Sequence, residues 1–218
     1  MLLNDLWGLF EEEIFPFRST DELFNKYSDN DLRFDLPKGQ RIRRKNLLNY
    51  LNSFSKRPAV LLIGEPAGPW GCRFSGIPFT SERMLISGVL SFEGYQSSTH
   101  DPPYSEISAT IFCEVLLPTL YPKVFVWNAV PFHPHKRGEM LSIRHPTREE
   151  IYTHSKVLSK VLFLMKPKLI VAVGRKAELA LKVLGKSSIY VRHPSQSGAR
   201  EFTKGIERIF KEVLTVSV

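Results

Sequence analysis

Two cysteines, Cys72 and Cys113, are all that this 218-residue chain contains, too few for a disulfide framework or a four-thiolate metal cluster. They read as reduced thiols in a cytoplasmic protein. No apolar run approaches the ~20 residues that a membrane helix needs, so no membrane partner is expected. The apolar start from Met1 to Phe10 lacks a basic leader and a small-residue cleavage site, and Glu11, Glu12 and Glu13 follow at once. It does not read as a signal peptide. A G-x-S-x-G elbow and a P-loop are both missing, which removes the usual support for a small-molecule α/β hydrolase or a nucleotide-binding enzyme. There is no internal repeat and no low-complexity linker. What remains has the length of one domain, with 43% hydrophobic and 24% charged residues, and reads as a soluble globular monomer.

The charge is unevenly spread. Residues 1–35 hold nine acidic and three basic side chains, whereas residues 36–218 hold 27 basic and 13 acidic ones, a net of +14. A domain this basic meets phosphate, because each neutralised phosphate releases condensed counterions. The division is therefore into an acidic arm, 1–35, and a basic domain, 36–218. The arm carries Trp7, Phe10, Phe15, Phe17 and Phe24, and aromatics are scarce in disordered acidic tails, so it is expected to pack on the domain, largely as helix. Ser19 and Glu22 have the spacing of a capping box.

Four short β-branched runs, Val60 to Ile63, Val124 to Trp127, Leu169 to Val173 and Ser188 to Val191, suit parallel strands covered on both faces. Helical patterns lie around them: a basic amphipathic segment from Arg41 to Ser55, then Ser105 to about Leu117, Thr147 to Phe163, Arg175 to Leu184 and Arg200 to Val213. The third is opened by Pro146 and a Thr147-to-Glu150 capping box. This alternation predicts an α/β fold, three-layer α/β/α with a short, four-stranded parallel central sheet.

Ligands of such sheets bind beyond the carboxyl ends of the strands, and the segments leaving those ends are rich in glycine and polar residues. The first is Gly64-Glu65-Pro66-Ala67-Gly68-Pro69-Trp70-Gly71, continuing to Gly76-Ile77-Pro78-Phe79-Thr80-Ser81. The second is Asn128-Ala129-Val130-Pro131-Phe132-His133-Pro134-His135, the third Gly174-Arg175-Lys176, and the fourth Arg192-His193-Pro194-Ser195-Gln196-Ser197-Gly198-Ala199-Arg200. Each piece alone is common. Together and in this order, over roughly residues 58–205, they resemble the uracil-DNA glycosylase superfamily. The resemblance is closest to a bacterial branch with a GEAPG first loop, a GxPFTSE segment, a WNAxPFHPH second loop and no iron–sulfur cysteines.

The resemblance implies a monofunctional glycosylase that removes uracil or a related deaminated base from DNA in base excision repair, with DNA as partner and no cofactor. It implies base binding by Gly64, Pro66, Phe79 and Asn128, with Phe79 as the stacking plate and Asn128 reading the base edge through its amide. His193 would stabilise the departing base as a neutral donor. Thr80, Ser81, Ser195, Gln196, Ser197 and Arg200 would grip phosphates. Each has a plainer reading: Phe79 as core, Asn128 as a turn residue.

Two departures stand out. The best-known members place Asp or Asn where Pro66 stands, aligned to the attacking water, and a tyrosine that crowds thymine's methyl where Gly68 stands. Glu65 offers the nearest carboxylate for the water, and equally an acceptor for loop amides; backbone carbonyls are the other means. Pro66 also supports an alternative, a catalytically weak nucleic-acid-binding protein on the same fold. His133 and His135 lack a thiolate or carboxylate partner at metal-ligand spacing, so no metal is expected.

Overall fold

The computed structural model describes residues 2–116 and 124–215. In chain order the elements are α1 (Leu2–Glu13), β1 (Leu23–Phe24), α2 (Gly39–Asn52), β2 (Val60–Gly64), α3 (Cys72–Ser75), α4 (Glu82–Ile86), α5 (Ile107–Leu116), β3 (Val124–Asn128), β4 (His133–Pro134), α6 (Arg148–Met165), β5 (Leu169–Val173), α7 (Arg175–Val183), β6 (Ile189–Val191) and α8 (Ala199–Thr215). Leu117, the expected end of α5, lies outside the described residues.

Four strands form a parallel sheet in the order β3-β2-β5-β6. Successive side chains point to opposite faces, and the sequence loads both with apolar groups. Leu61, Ile63, Phe125, Trp127 and Ala172 enter one core with residues of α1, α2, α6 and α7. Val60, Leu62, Val126, Val171, Val173 and Val191 enter the other with Phe112 of α5 and Phe202, Ile206 and Ile209 of α8. This is the three-layer arrangement that the uninterrupted β-branched runs called for. The Thr147–Glu150 capping box is formed at the start of α6, with Thr147 Oγ1 accepting from the Glu150 amide at 3.1 Å.

The acidic N-terminal segment enters the same core. Leu6, Leu9, Phe10 and Ile14 are buried, and the Phe10 ring stacks on Trp127 of β3 at 4.7 Å and 9°. Helix continues only to Glu13, however. Ser19 and Glu22 open no helix: Ser19 Oγ accepts from the Asn25 amide at 2.7 Å and donates to Asp29 Oδ2 at 2.6 Å, closing a loop that leads into β1. There Leu23 and Phe24 pair antiparallel with Pro134 and His133. Asp35 forms ion pairs with Arg43 of α2 and Arg73 of α3, all three side chains shut off from solvent. A boundary after residue 35 thus runs through a buried charge network.

Strand β2 lies between β3 and β5, so the chain leaves it toward one edge and later returns on its other side. At this divergence the β2 loop has a crevice to itself. Gly64, the last residue of β2, sits in register beside Asn128, the last residue of β3.

Candidate active site

Gly64 and Asn128 end their strands side by side beneath the β2 loop, and Asn128 lines the recess there. The Ala129 amide donates to Gly64 O at 2.9 Å, locking the two strand ends together. A side chain at position 64 would collide with the Phe79 ring, so glycine here is a condition of that ring's placement. Phe79 itself has a left-handed backbone, φ 51°, uncommon for a bulky residue and a mark of local strain. One face of its ring is backed by Phe112, at 4.4 Å and 10°, and the residue is half-buried. The His193 ring stands 5.6 Å away, tilted by 33°. Asn128 is buried, with Nδ2 3.5 Å from Cys72 Sγ.

His193 follows β6, and its chemistry is set by Ser195. The Ser195 amide donates to His193 Nδ1 at 3.2 Å, and the Ser195 hydroxyl meets the same nitrogen at 2.8 Å. An amide N–H can only donate, so Nδ1 carries the lone pair and the proton of the neutral ring sits on Nε2. Burial lowers the His193 pKa from its usual value; the Glu65 carboxylate opposes that shift and Arg192 adds to it. The outcome is a neutral imidazole with a free Nε2–H.

The loop from Ser195 to Gly198 is tightly wound. Gln196 and Ser197 both take left-handed backbone conformations, φ 52° and 63°. A side chain at Gly198 would run into the His193 carbonyl. Gln196, Ser197 and Arg200 are exposed and Ser195 is half-buried, next to the start of α8, where free backbone amides favour an anion. Thr80 and Ser81 differ from the expectation of an open phosphate grip. Both are buried: Thr80 Oγ1 donates to Pro78 O at 3.2 Å, and Ser81 Oγ has no hydrogen-bond partner. The resemblance placed them among the phosphate contacts, but the turn into α4 folds them inward.

Two connected spaces open here. A cleft of about 360 Å³ runs past Pro66, Trp70, Ile143, His145, His193 and Gln196. Behind it a narrow recess of about 20 Å³ is walled by Phe79, Thr80, Asn128, Cys72 and Ala109, room for about one water. Residues 65–68, Glu106, Ser108 and His193 line both, so they surround the junction.

Glu65 does not point its carboxylate freely into this junction. Its Oε1 accepts from the Lys176 amide at 3.3 Å at the start of α7, where a side chain on Gly174 would strike it, and Oε2 lies 4.0 Å from His145 Nδ1. It ties the β2 loop to a helix N-terminus, a favourable place for a carboxylate. Pro66 offers neither amide N–H nor carboxylate. His133 ties the loop from the other side: its ring nitrogens lie 2.7 Å from Ala67 O and 2.8 Å from Met140 O. Burial pulls its pKa down to about 4, so the ring is neutral, one contact carries the N–H and the other is a close polar approach. Among the described residues, no group of three or more His, Cys, Asp or Glu converges as a metal site would. No helix among them is long and apolar enough to cross a membrane.

Sequence reading missed Glu106. Ser105-Glu106-Ile107 has the look of an ordinary acidic first turn. The usable signal was the pair Gly68 and Gly71, whose missing side chains leave the room its carboxyl fills: a Cβ on Gly68 would stand 2.6 and 2.7 Å from the two Glu106 oxygens.

The comparisons with known proteins bear on the fold and the family. The chain is similar in fold to the crystal structure of Pedobacter heparinus SMUG2, with a TM-score of 0.65, 15% identity and 98% of each chain covered. No curated protein matches it. A family model described as the uracil DNA glycosylase superfamily matches residues 51–214, which is most of the chain and holds every crevice residue named above. The chain belongs to the uracil DNA glycosylase superfamily.

Proposed function

We propose that the protein is a monofunctional DNA glycosylase that hydrolyses the N-glycosidic bond of uracil, or of a related deaminated base, flipped out of DNA. The observation that carries this reading is the neutral Nε2–H of His193, fixed by Ser195 and set beside the half-buried face of Phe79. The base stacks on Phe79 while the Asn128 amide reads its edge. Because the recess holds about one water as it stands, an entering base must widen it, with the sugar left in the larger cleft. Ser195, Gln196, Ser197 and Arg200 hold the flanking phosphates; the buried Thr80 and Ser81 support the wall instead.

In the reaction the bond between C1′ and the base nitrogen breaks and its electron pair leaves with the base. His193 Nε2–H donates to a carbonyl oxygen of the base as that charge develops, without needing to be an acid. Water then adds to C1′, and the proton it releases balances the anionic base. With Glu65 engaged at α7, the carbonyls of the β2 loop are left to hold the water. The test is release of free uracil from a labelled duplex under single-turnover conditions. A second reading, a binding protein with little activity, is favoured by Pro66 and by the engagement of Glu65; DNA binding without base release would select it.

A further inference from the structure

Glu106 holds a buried carboxyl group at the junction of cleft and recess. It accepts from Ser108 Oγ at 2.5 Å through Oε1, while Oε2 is shut off from solvent and has no hydrogen-bond partner. No cation pairs with it among the described residues. The groups facing it are the Cys72 thiol from α3, Glu65 from the β2 loop, His193 from the β6–α8 loop, and His133, Arg144 and His145 across the cleft. A carboxyl so enclosed takes up a proton in preference to carrying an uncompensated charge. Burial accordingly raises its pKa, with the Ser108 bond pulling part of the way back and the Gly71 amide, close by but outside hydrogen-bond geometry, adding to that pull. Glu106, Cys72 and Asn128 line the same recess, and Cys72 Sγ lies 3.5 Å from Asn128 Nδ2.

We propose that Glu106 is a further base-binding residue, a neutral carboxylic acid whose Oε2–H donates to the carbonyl oxygen that deamination leaves on the flipped base, sharing that edge with Asn128. This rests on the glycosylase reading and names what the site selects. Deamination replaces an exocyclic amino group, a donor, with a carbonyl, an acceptor. A fixed donor at that point accepts the deaminated base and confronts the undamaged parent, cytosine for instance, with donor against donor. An ionised Glu106 would repel both the carbonyl and the charge growing on the leaving base; the protonated acid stabilises them.

The test compares wild type with Glu106→Gln, which keeps an N–H donor of the same shape but cannot titrate, and with Glu106→Ala. Two readouts are taken from about pH 6 to 9: single-turnover uracil release, and equilibrium binding of duplexes carrying a non-cleavable 2′-fluoro uridine or 2′-fluoro cytidine. The wild type should prefer the uracil duplex and lose rate and preference as pH rises through the Glu106 pKa. The Gln variant should retain most of the neutral-pH rate and lose that alkaline fall. The Ala variant should lose about tenfold to a hundredfold in both readouts at every pH. Unchanged uracil preference and rate in the Ala variant overturn the proposal. A Gln variant as inactive as Ala, with uracil preference intact, also overturns it and makes Glu106 the base that deprotonates water. Because preference is read without cleavage, a wild type that releases no uracil refutes the glycosylase reading while the binding arm still decides the role of Glu106.

Discussion

Ser195 gives its backbone N–H to Nδ1 of His193 at 3.2 Å, and that one bond decides which nitrogen of the neutral ring carries the proton. The lowered pKa keeps the ring neutral at pH 7. As pH falls through that lowered value, Nδ1 takes a proton, loses Ser195, and the loop must rearrange. Single-turnover base release should therefore decline on the acid side, with a midpoint below the usual histidine value of ~6.5. A Ser195→Ala variant should retain the amide contact and lose only part of the rate. A rate that instead rises as pH falls through the histidine range would show the imidazolium to be the active form.

Linkage at His133 sets the acid stability. Its pKa is depressed to about 4 in the folded chain, against ~6.5 unfolded. Between these values the unfolded state binds more protons, so stability is full above about pH 6.5 and falls as pH drops toward 4, by roughly 3 kcal/mol. Denaturant midpoints across that range should show the fall, and His133→Asn should flatten it.

How much of this was legible in the sequence depends on whether local pattern or long-range pairing decided each element. The sheet was readable because strands buried on both faces leave continuous runs such as Leu169–Val173, and α6 because Thr147 and Glu150 satisfy each other locally. The crevice was readable because Gly64 and Asn128 end strands, His193 closely follows one, and Phe79 lies in the glycine-rich stretch that leaves β2. Asp35, Arg43 and Arg73 were not: three charged residues far apart in sequence look solvent-exposed until the fold brings them together. Ser19–Glu22 misled because capping spacing is a local signal, and pairing of Leu23–Phe24 with β4 overrode it. Glu106 was hidden by the same disguise as the ion network, an ordinary charged residue buried by distant glycines.

The N-terminal helix should matter for folding. Phe10 is fully buried against Trp127, whose strand ends at Asn128. Phe10→Ala should cost about 3–5 kcal/mol, read from chemical denaturation. Deleting residues 1–35, which also removes Asp35 from between two buried guanidinium groups, should leave no stable fold. A deletion variant with a wild-type melting temperature would make the segment a dispensable arm.

Binding should be salt-dependent, because the net +14 of residues 36–218 meets a phosphate backbone. The log–log slope of duplex affinity against salt should be near −0.9 per neutralised phosphate. Arg200→Ala should reduce the slope by about one of these units, whereas Ser81→Ala should leave it unchanged, since Ser81 is buried. A flat salt response would remove DNA as the partner.

Recognition should divide between stacking and edge reading. Phe79→Ala should lose about 1–3 kcal/mol of base affinity. Asn128→Asp should be more damaging to uracil than a smaller polar change, because a carboxylate cannot donate to the base carbonyl. Wild-type uracil release by Asn128→Asp would take that residue out of the base site.

In the proposed reaction the crevice accelerates departure of the base through His193, with water activation a lesser term. The most direct measurement is single-turnover uracil release from a labelled duplex by the wild type, His193→Ala and Glu65→Gln, with duplex affinity measured in parallel. The wild type should release uracil, His193→Ala should lose about 10²–10³ in rate, and Glu65→Gln far less, all three binding DNA alike. A larger loss in Glu65→Gln than in His193→Ala would make water attack the limiting step, and no release by the wild type would leave a DNA-binding protein without glycosylase activity.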